Sequence, residues 1–347
     1  MNDELYMTRA LELATLGRGF VSPNPLVGCV IVHDDRMGPR IIGEGWHKRY
    51  GEAHAEVDAV RSVQAEDAHL LPAATVYVTL EPCSHFGKTP PCADLLIEKR
   101  VWRVVICNND PNPLVAGRGL AKLRAAGITV ETGILAEKGR DLNRRFFTQM
   151  EQQRPYIMLK WAETADGFIG GPNGQAVAIS GPLAQRMVHR WRSEEPAIMV
   201  GTNTARIDNP RLNVRLWNGP NPTRIVIDKA GQLSPSLHVF DGSQPTLCYT
   251  YQPARIETTT TFIQLSERDA LLPQLMADLH GRGLQSVLVE GGAALLTSLL
   301  DANLWDEMRV FRSPMLLQQG VKAPSVQGRL MSRKQVGNDE LSVYRVL

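Results

Sequence analysis

Over the first 16 residues apolar positions recur at helical spacing: Met7, Ala10, Leu11 and Ala14 share a face, and Gly17 follows as a stop. The spacing predicts a helix over 3–16. After the turn-forming Ser22-Pro23-Asn24-Pro25, the run VGCVIV at 27–32 is too short and too β-branched for a helix and reads as a buried strand. Runs at 75–80 and 101–107 repeat that signature, with stretches of helical period between them. The pattern changes over 133–148, where a charged, helix-like segment (EKGRDLNRRFF) leads to a new strand-like run at 156–161. Beyond it, strand-like runs at 197–201, 224–228 and 286–290 alternate with helical ones at 183–194 and 293–300. Both halves therefore read as α/β.

At 347 residues the chain exceeds the size at which one hydrophobic core stops growing. The change of pattern sets two domains, 1–147 and 148–347. A composition of 43% hydrophobic and 21% charged residues excludes intrinsic disorder. No apolar run approaches the roughly 18 residues of a membrane span, and the first ten residues carry acids where a signal peptide carries bases. The expectation is a cytoplasmic protein with no membrane partner. Residues 1–147 hold 18 Lys+Arg against 18 Asp+Glu, which argues against nucleic acid, whose phosphates call for a basic surplus. Five irregularly spaced cysteines do not form a secreted disulfide framework.

The strongest chemical signal is His54-Ala55-Glu56, followed by Pro82-Cys83 and Pro91-Cys92. In zinc nucleobase deaminases one His and two Cys hold the metal, the fourth position is left for water, and a non-ligating Glu shuttles protons. On that logic His54, Cys83 and Cys92 are ligands and Glu56 is the catalytic acid-base. His54 and Cys92 each open an expected helix, whose positive end favours thiolate. Eight residues separate Cys83 from Cys92, whereas the generic motif has two.

In the second half, seven arginines and no lysine fall between Arg186 and Arg224, a density suited to phosphate groups. Near the end, Glu290-Gly291-Gly292 joins a strand to a helix, a place where backbone amides can meet an anion. No Gly-x-Gly-x-x-Gly fingerprint occurs, which disfavours a Rossmann dinucleotide fold.

The block TLEPCSHFGKTPPC, with Pro23-Asn24-Pro25, Gly43-Glu44-Gly45-Trp46-His47 and Asp110-Pro111-Asn112-Pro113, resembles the pyrimidine deaminase domain of the bifunctional riboflavin-biosynthesis deaminase/reductase family. The stretches LKWA at 159–162, VHRWR at 188–192, VGTNTARIDNP at 200–210, LNVR at 212–215 and the Glu-Gly-Gly resemble its reductase domain. The resemblance implies a cytidine-deaminase-like three-layer domain followed by a dihydrofolate-reductase-like domain. It implies one zinc ion per chain, NADPH, and small phosphorylated pyrimidine substrates; a homo-oligomeric state stays open. By position, Asn24, His47, Lys88, Asp110 and Asn112 would contact the deaminase substrate, Lys88 through its phosphate. Ala162, Ala178, Thr204, Asp208 and Gly292 would line the NADPH site. Ala176, Arg192, Leu212, Arg215 and Glu290 would line the reductase substrate site, with Arg192 and Arg215 on the phosphate and Glu290 orienting the sugar. Many relatives carry Ser and Trp where this chain has Ala176 and Ala178, so a hydrogen bond and a stacking surface are missing there. Three alternatives remain at this stage: a single-function deaminase with a non-catalytic nucleotide-binding second domain, a tRNA-adenosine deaminase, and a protein with a closed structural zinc site.

Overall fold

The structure, a computed structural model, describes residues 2–86, 90–112 and 116–346, and the chain divides into two units, Met1–Gln152 and Gln153–Leu347. Residue 148, where the pattern change sets the boundary, falls inside the helix Arg144–Gln152. That helix stays continuous because Phe146, Phe147 and Met150 pack with Leu80 and Val27 of the first unit.

The first unit runs α1 (Asp3–Thr15), β1 (Gly28–Asp35), β2 (Gly38–Trp46), α2 (Ala55–Ser62), β3 (Thr75–Leu80), α3 (Cys92–Glu98), β4 (Arg103–Asn108), α4 (Arg118–Ala125), β5 (Thr129–Thr132), α5 (Ala136–Leu142) and α6 (Arg144–Gln152). The sheet order is β2-β1-β3-β4-β5; β1 is antiparallel to β2 and β3, while β3, β4 and β5 are parallel. One face buries Ala55, Ala59, Ala93, Leu96, Leu120 and Leu123 from α2, α3 and α4. The other buries Met7, Ala10 and Leu11 of α1. Central strands covered on both faces read as unbroken apolar runs, which is why they were legible without alternation. β2 was not, because Gly, Pro and Arg interrupt it.

Glycines set the spacing of these layers. A Cβ on Gly28 would lie 1.9 Å from the Ala10 carbonyl oxygen of α1, and one on Gly45 would lie 2.3 Å from the Ala59 nitrogen and 2.6 Å from the Ala55 oxygen of α2. Backbone meets backbone at both places, so α2, which carries Glu56 in its first turn, can sit down only over a glycine.

The second unit runs β6 (Tyr156–Glu163), β7 (Phe168–Gly170), α7 (Pro182–Glu194), β8 (Ala197–Gly201), α8 (Thr202–Asp208), β9 (Thr223–Ile227), β10 (Thr246–Thr250), β11 (Arg255–Glu257), β12 (Thr260–Gln264), α9 (Leu271–Gly281), β13 (Ser286–Val289), α10 (Ala293–Asp301), β14 (Glu307–Arg312), β15 (Val321–Lys322), β16 (Arg329–Val336) and β17 (Asp339–Arg345). Its large sheet is ordered β11-β12-β10-β9-β8-β13-β6-β14-β17-β16. Strands β12, β10, β9, β8, β13, β6 and β14 run parallel; β11, β17 and β16 pair antiparallel at the edges. Leucines of α9 and α10 cover one face; Val188, Trp191 and Ala205 from α7 and α8 cover the other. The C-terminal hairpin β16–β17 has no counterpart in the sequence reading, because seven of the eight residues of β16 are exposed and carry no apolar period.

Substituting Gly45→Ala should destabilise the first unit by at least about 1–3 kcal/mol, the usual cost of overpacking where backbone cannot yield. Urea unfolding would measure it, and an unchanged midpoint would contradict the close approach of α2 to β2.

Candidate active sites

In the first unit three side chains converge over the carboxyl end of β3. His54 is the residue before α2, Cys83 lies in the turn after β3, and Cys92 is the first residue of α3. The Cys83 and Cys92 sulfurs stand 3.6 and 3.4 Å from His54 Nδ1. A tetrahedral zinc with bonds of roughly 2.3 Å to sulfur and 2.0–2.1 Å to nitrogen sets an N···S edge of about 3.6 Å, so the donors already have the spacing of a zinc site. Among the described residues no fourth His, Cys or carboxylate joins this cluster. That leaves a coordination position open, which separates a catalytic from a closed structural arrangement.

Electrostatics favour a thiolate at one of the two sulfurs, Cys83. The backbone amide of Cys92, at the start of α3, donates to Cys83 Sγ at 3.3 Å. Hydrogen bonding from the Cys92 thiol, and then from His54 and that amide, holds Cys83 down at about 4, whereas sharing its proton with Cys83 and burial push Cys92 up. Glu56 lies in the first turn of α2, 3% exposed, beside both sulfurs but outside the ligand cluster. Burial, reinforced by Cys83, pushes its carboxyl up.

The expected substrate contacts gather around this cluster in part. The His47 ring meets the His54 ring edge-on at 5.5 Å. His47 Nδ1–H donates to the Ala53 carbonyl at 3.0 Å, which leaves Nε2 to accept from the Asn24 amide at 3.1 Å. Burial lowers the His47 pKa, so the ring is neutral at neutral pH. Asp110 and Asn112 follow β4, and Asp110 Oδ1 accepts the Asn112 amide at 2.8 Å. Burial pushes Asp110 up to about 6. Lys88 lies outside the described residues.

The second unit has a cleft at the carboxyl ends of the adjacent parallel strands β6, β13 and β8, the usual position of ligands in such sheets. Its cavity volume of about 260 Å³ lies near the lower end of small-molecule sites. Ala162, Ala178, Thr204, Asp208 and Gly292 all line it, as do Arg192, Leu212 and Glu290. Ala176 and Arg215 are exposed and do not. The Thr204 hydroxyl accepts the Gly292 amide at 2.8 Å, so the amides offered to an anion are those of the α10 first turn that follow. Leu212 is buried with φ +55°, a left-handed conformation that costs a Cβ-bearing residue about 1 kcal/mol or more.

Glu290 anchors the cleft. Arg192 donates to it twice, Nε to Oε1 at 2.8 Å and Nη2 to Oε2 at 3.0 Å, and Lys160 Nζ lies 3.6 Å from Oε2. Burial opposes ionisation, but Arg192 and Lys160 outweigh it and hold Glu290 at about 2. Arg192 Nη1 also donates to the Asn213 carbonyl at 3.1 Å, so its guanidinium is committed largely to protein groups. Of the other arginines in the dense stretch, Arg224 is fully buried and binds the Arg211 carbonyl and Asp241, and Arg190 pairs with Glu194. These are structural. Arg215 keeps its side chain exposed while its amide donates to His189 Nδ1 at 3.2 Å; burial, then Arg192 and Arg215, lower His189 to about 4, so it accepts as a neutral ring. Lys160, which lines the cleft beside Glu290, was not singled out as a site residue because a lysine within an apolar strand carries no motif of its own; its partner Glu290 is 130 residues away.

The model of the RibD C-terminal domain matches residues 155–342, and that of the cytidine and deoxycytidylate deaminase zinc-binding region matches residues 1–108. A riboflavin biosynthesis protein RibD of Escherichia coli is 41% identical over 91% of this chain and 89% of its own length. The structure of Acinetobacter baumannii RibD superposes with a TM-score of 0.90 at 34% identity, over 99% of this chain and 98% of that one. A diaminohydroxyphosphoribosylaminopyrimidine deaminase/5-amino-6-(5-phosphoribosylamino)uracil reductase from Thermotoga maritima superposes with a TM-score of 0.89 at 36% identity, over 99% of each chain. The cytidine-deaminase-like and dihydrofolate-reductase-like pair expected from the motifs is thus the fold pair present. Because identity above one third extends over more than nine-tenths of this chain in each case, the chain belongs to the RibD family of riboflavin biosynthesis proteins.

Proposed function

We propose that the chain is a bifunctional enzyme of riboflavin biosynthesis, a zinc-dependent deaminase joined to an NADPH-dependent reductase. The first unit hydrolyses the 2-amino group of 2,5-diamino-6-(5-phosphoribosylamino)pyrimidin-4(3H)-one: water replaces the C2–N bond with a carbonyl, and ammonia leaves. The second opens the ribosyl group of the resulting uracil and reduces it to ribityl. The observation that carries this reading is the cluster of His54, Cys83 and Cys92, with both sulfurs at zinc-site distance from His54 Nδ1, no fourth donor among the described residues and a buried glutamate alongside.

Zinc held by His54, Cys83 and Cys92 would provide the Lewis acid that acidifies water toward neutrality. Glu56 accepts a proton from the attacking water and returns it to the departing amino group, a pair of transfers that suits a carboxyl of raised proton affinity. Neutral His47 and Asn24 would orient the pyrimidine. In the second unit NADPH would supply the hydride, since no protein side chain can. Ala162, Ala178, Thr204, Asp208 and the first turn of α10 would hold it. Glu290, held ionised, accepts from the sugar hydroxyls, and Lys160 offers a donor beside it. Arg215 is the better candidate for the substrate phosphate because Arg192 is bound to Glu290. The match of the second unit to the RibD C-terminal domain over residues 155–342 favours this reading over a non-catalytic second domain.

Wild-type protein should carry about one zinc per chain, and Cys83→Ser or Cys92→Ser should lose both metal and deamination; full zinc and activity in either variant would exclude that cysteine as a ligand. Glu56→Gln should keep its zinc and lose deamination by about 10²–10⁴-fold, the usual worth of general acid-base catalysis, while reduction of supplied deaminated intermediate is unchanged. More than about a tenth of the wild-type rate would remove Glu56 from the proton shuttle. Arg215→Ala should raise the reductase KM about tenfold or more, corresponding to the roughly 1.5–3 kcal/mol of a charge-assisted hydrogen bond, with deaminase kinetics unaltered. An unchanged reductase KM would refute the phosphate role.

A further inference from the structure

Glu81 sits between β3 and the zinc-ligand turn and is 4% exposed. A buried carboxylate so near a candidate metal site invites a ligand role, yet Glu81 does not belong to the donor cluster. Its oxygens face the opposite way. Oε1 accepts the amides of Gly119 at 3.0 Å and Leu120 at 3.4 Å; Oε2 accepts those of Gly117 at 3.1 Å and Asp110 at 3.4 Å. Helix α4 begins here with Gly117 as its N-cap, a residue without a side chain to satisfy the first amides. A carboxylate from a distant strand does so instead, and its charge suits the positive helix end.

Two further features show that this contact is built for. Gly117 has φ +74°, which turns its amide toward Glu81, and a Cβ there would meet nothing within 4 Å. Gly119 approaches so closely that a Cβ would lie 2.1 Å from the Pro82 carbonyl oxygen and 3.2 Å from Glu81 Oε1. The same carboxylate thus fixes both ends of the connection from β4 to α4, and Asp110, held by its amide, in turn accepts the Asn112 amide.

We infer that Glu81 is a positioning residue of the deaminase, locking the Asp110–Asn112 segment to the turn that carries Cys83, so that substrate contacts and metal ligand keep one geometry. This inference rests on the proposed deaminase reading, in which that segment meets the substrate. Glu81 acts through its neighbours and need touch neither substrate nor metal. A glutamine of the same size would keep only one acceptor oxygen and turn an amide donor toward backbone donors, loosening one end of the segment.

The test uses the full zinc-loaded chain and the diaminopyrimidine phosphate as substrate. Glu81→Gln, Asn112→Ala and the double variant are compared for zinc content, deaminase KM and kcat, and reduction of the deaminated intermediate. Glu81→Gln should retain zinc and reductase activity and raise the deaminase KM about tenfold, with kcat changed less than about threefold, as expected when a contact segment is misplaced. Asn112→Ala should also raise KM, and the double variant should be no worse than the worse single one, since coupled residues are not additive. A normal KM in Glu81→Gln beside a raised one in Asn112→Ala would overturn the positioning role and leave the deaminase reading intact. Effects that multiply in the double variant would overturn it as well. A normal KM in Asn112→Ala would remove the segment's substrate role, and the inference with it. Should Glu81→Gln fail to fold, Gly117→Ala perturbs the same contact from the loop side, with open space for its Cβ; zinc retained with a raised KM supports the role, and a normal KM overturns it.

Discussion

A divalent metal site demands that its donor atoms be fixed to within a fraction of an ångström before the metal arrives. In the first unit that demand falls on the ends of three elements. His54 precedes α2, Cys92 begins α3, and Cys83 follows β3, so the two helices must converge over one strand end for the sulfurs to stand 3.4 and 3.6 Å from the imidazole nitrogen. Helices can come this close to the sheet only where side chains are absent, and the Gly45 backbone against α2 is that place. The convergence also sets the electrostatics of these groups. A helix-end amide on Cys83 favours thiolate, and burial of Glu56 in the first turn of α2, two residues after His54, favours a carboxyl that can carry a proton.

The second unit meets an equivalent demand with charge. Its cleft forms where β6, β13 and β8 end side by side, and Glu290 stands on the loop leaving the middle one. Burying a carboxylate there is unfavourable by itself; Arg192 from α7 and Lys160 from β6 offset the cost and fix its direction. Three elements distant in sequence are thereby tied to one point, and Glu290 lines the cleft. Arg215, exposed, lies near Arg192 and Arg211 as well as Glu290.

Local periodicity and motif spacing carried most of the fold. The buried strands β1, β3, β6, β8 and β13 were legible because sandwiching between helices makes them continuous apolar runs. β2 and the hairpin β16–β17 were not, since a strand broken by glycine and proline, or one with an exposed face of mixed composition, has no period to detect. His54, Glu56, Cys83 and Cys92 could be singled out from the sequence because zinc chemistry restricts residue type and order, and the structure brings the three proposed ligands together. Asn24 and His47 emerged only through resemblance, and their mutual hydrogen bond depends on tertiary packing. Glu81 and Lys160 were missed for one reason: their partners lie far along the chain, Asp110, Gly117, Gly119 and Leu120 for Glu81 and Glu290 for Lys160. The arginine-rich stretch shows the converse, a density suggestive of phosphate in which Arg224 and Arg190 serve the fold.

The central claim is that one chain performs two reactions in sequence at separate sites, with the reductant used only by the second. Purified protein incubated with the diaminopyrimidine phosphate, with and without NADPH, addresses it most directly. We expect equal ammonia release in both incubations and the ribityl product only where NADPH is present. Ammonia release that required NADPH, or NADPH-dependent turnover without any ribityl product, would contradict it.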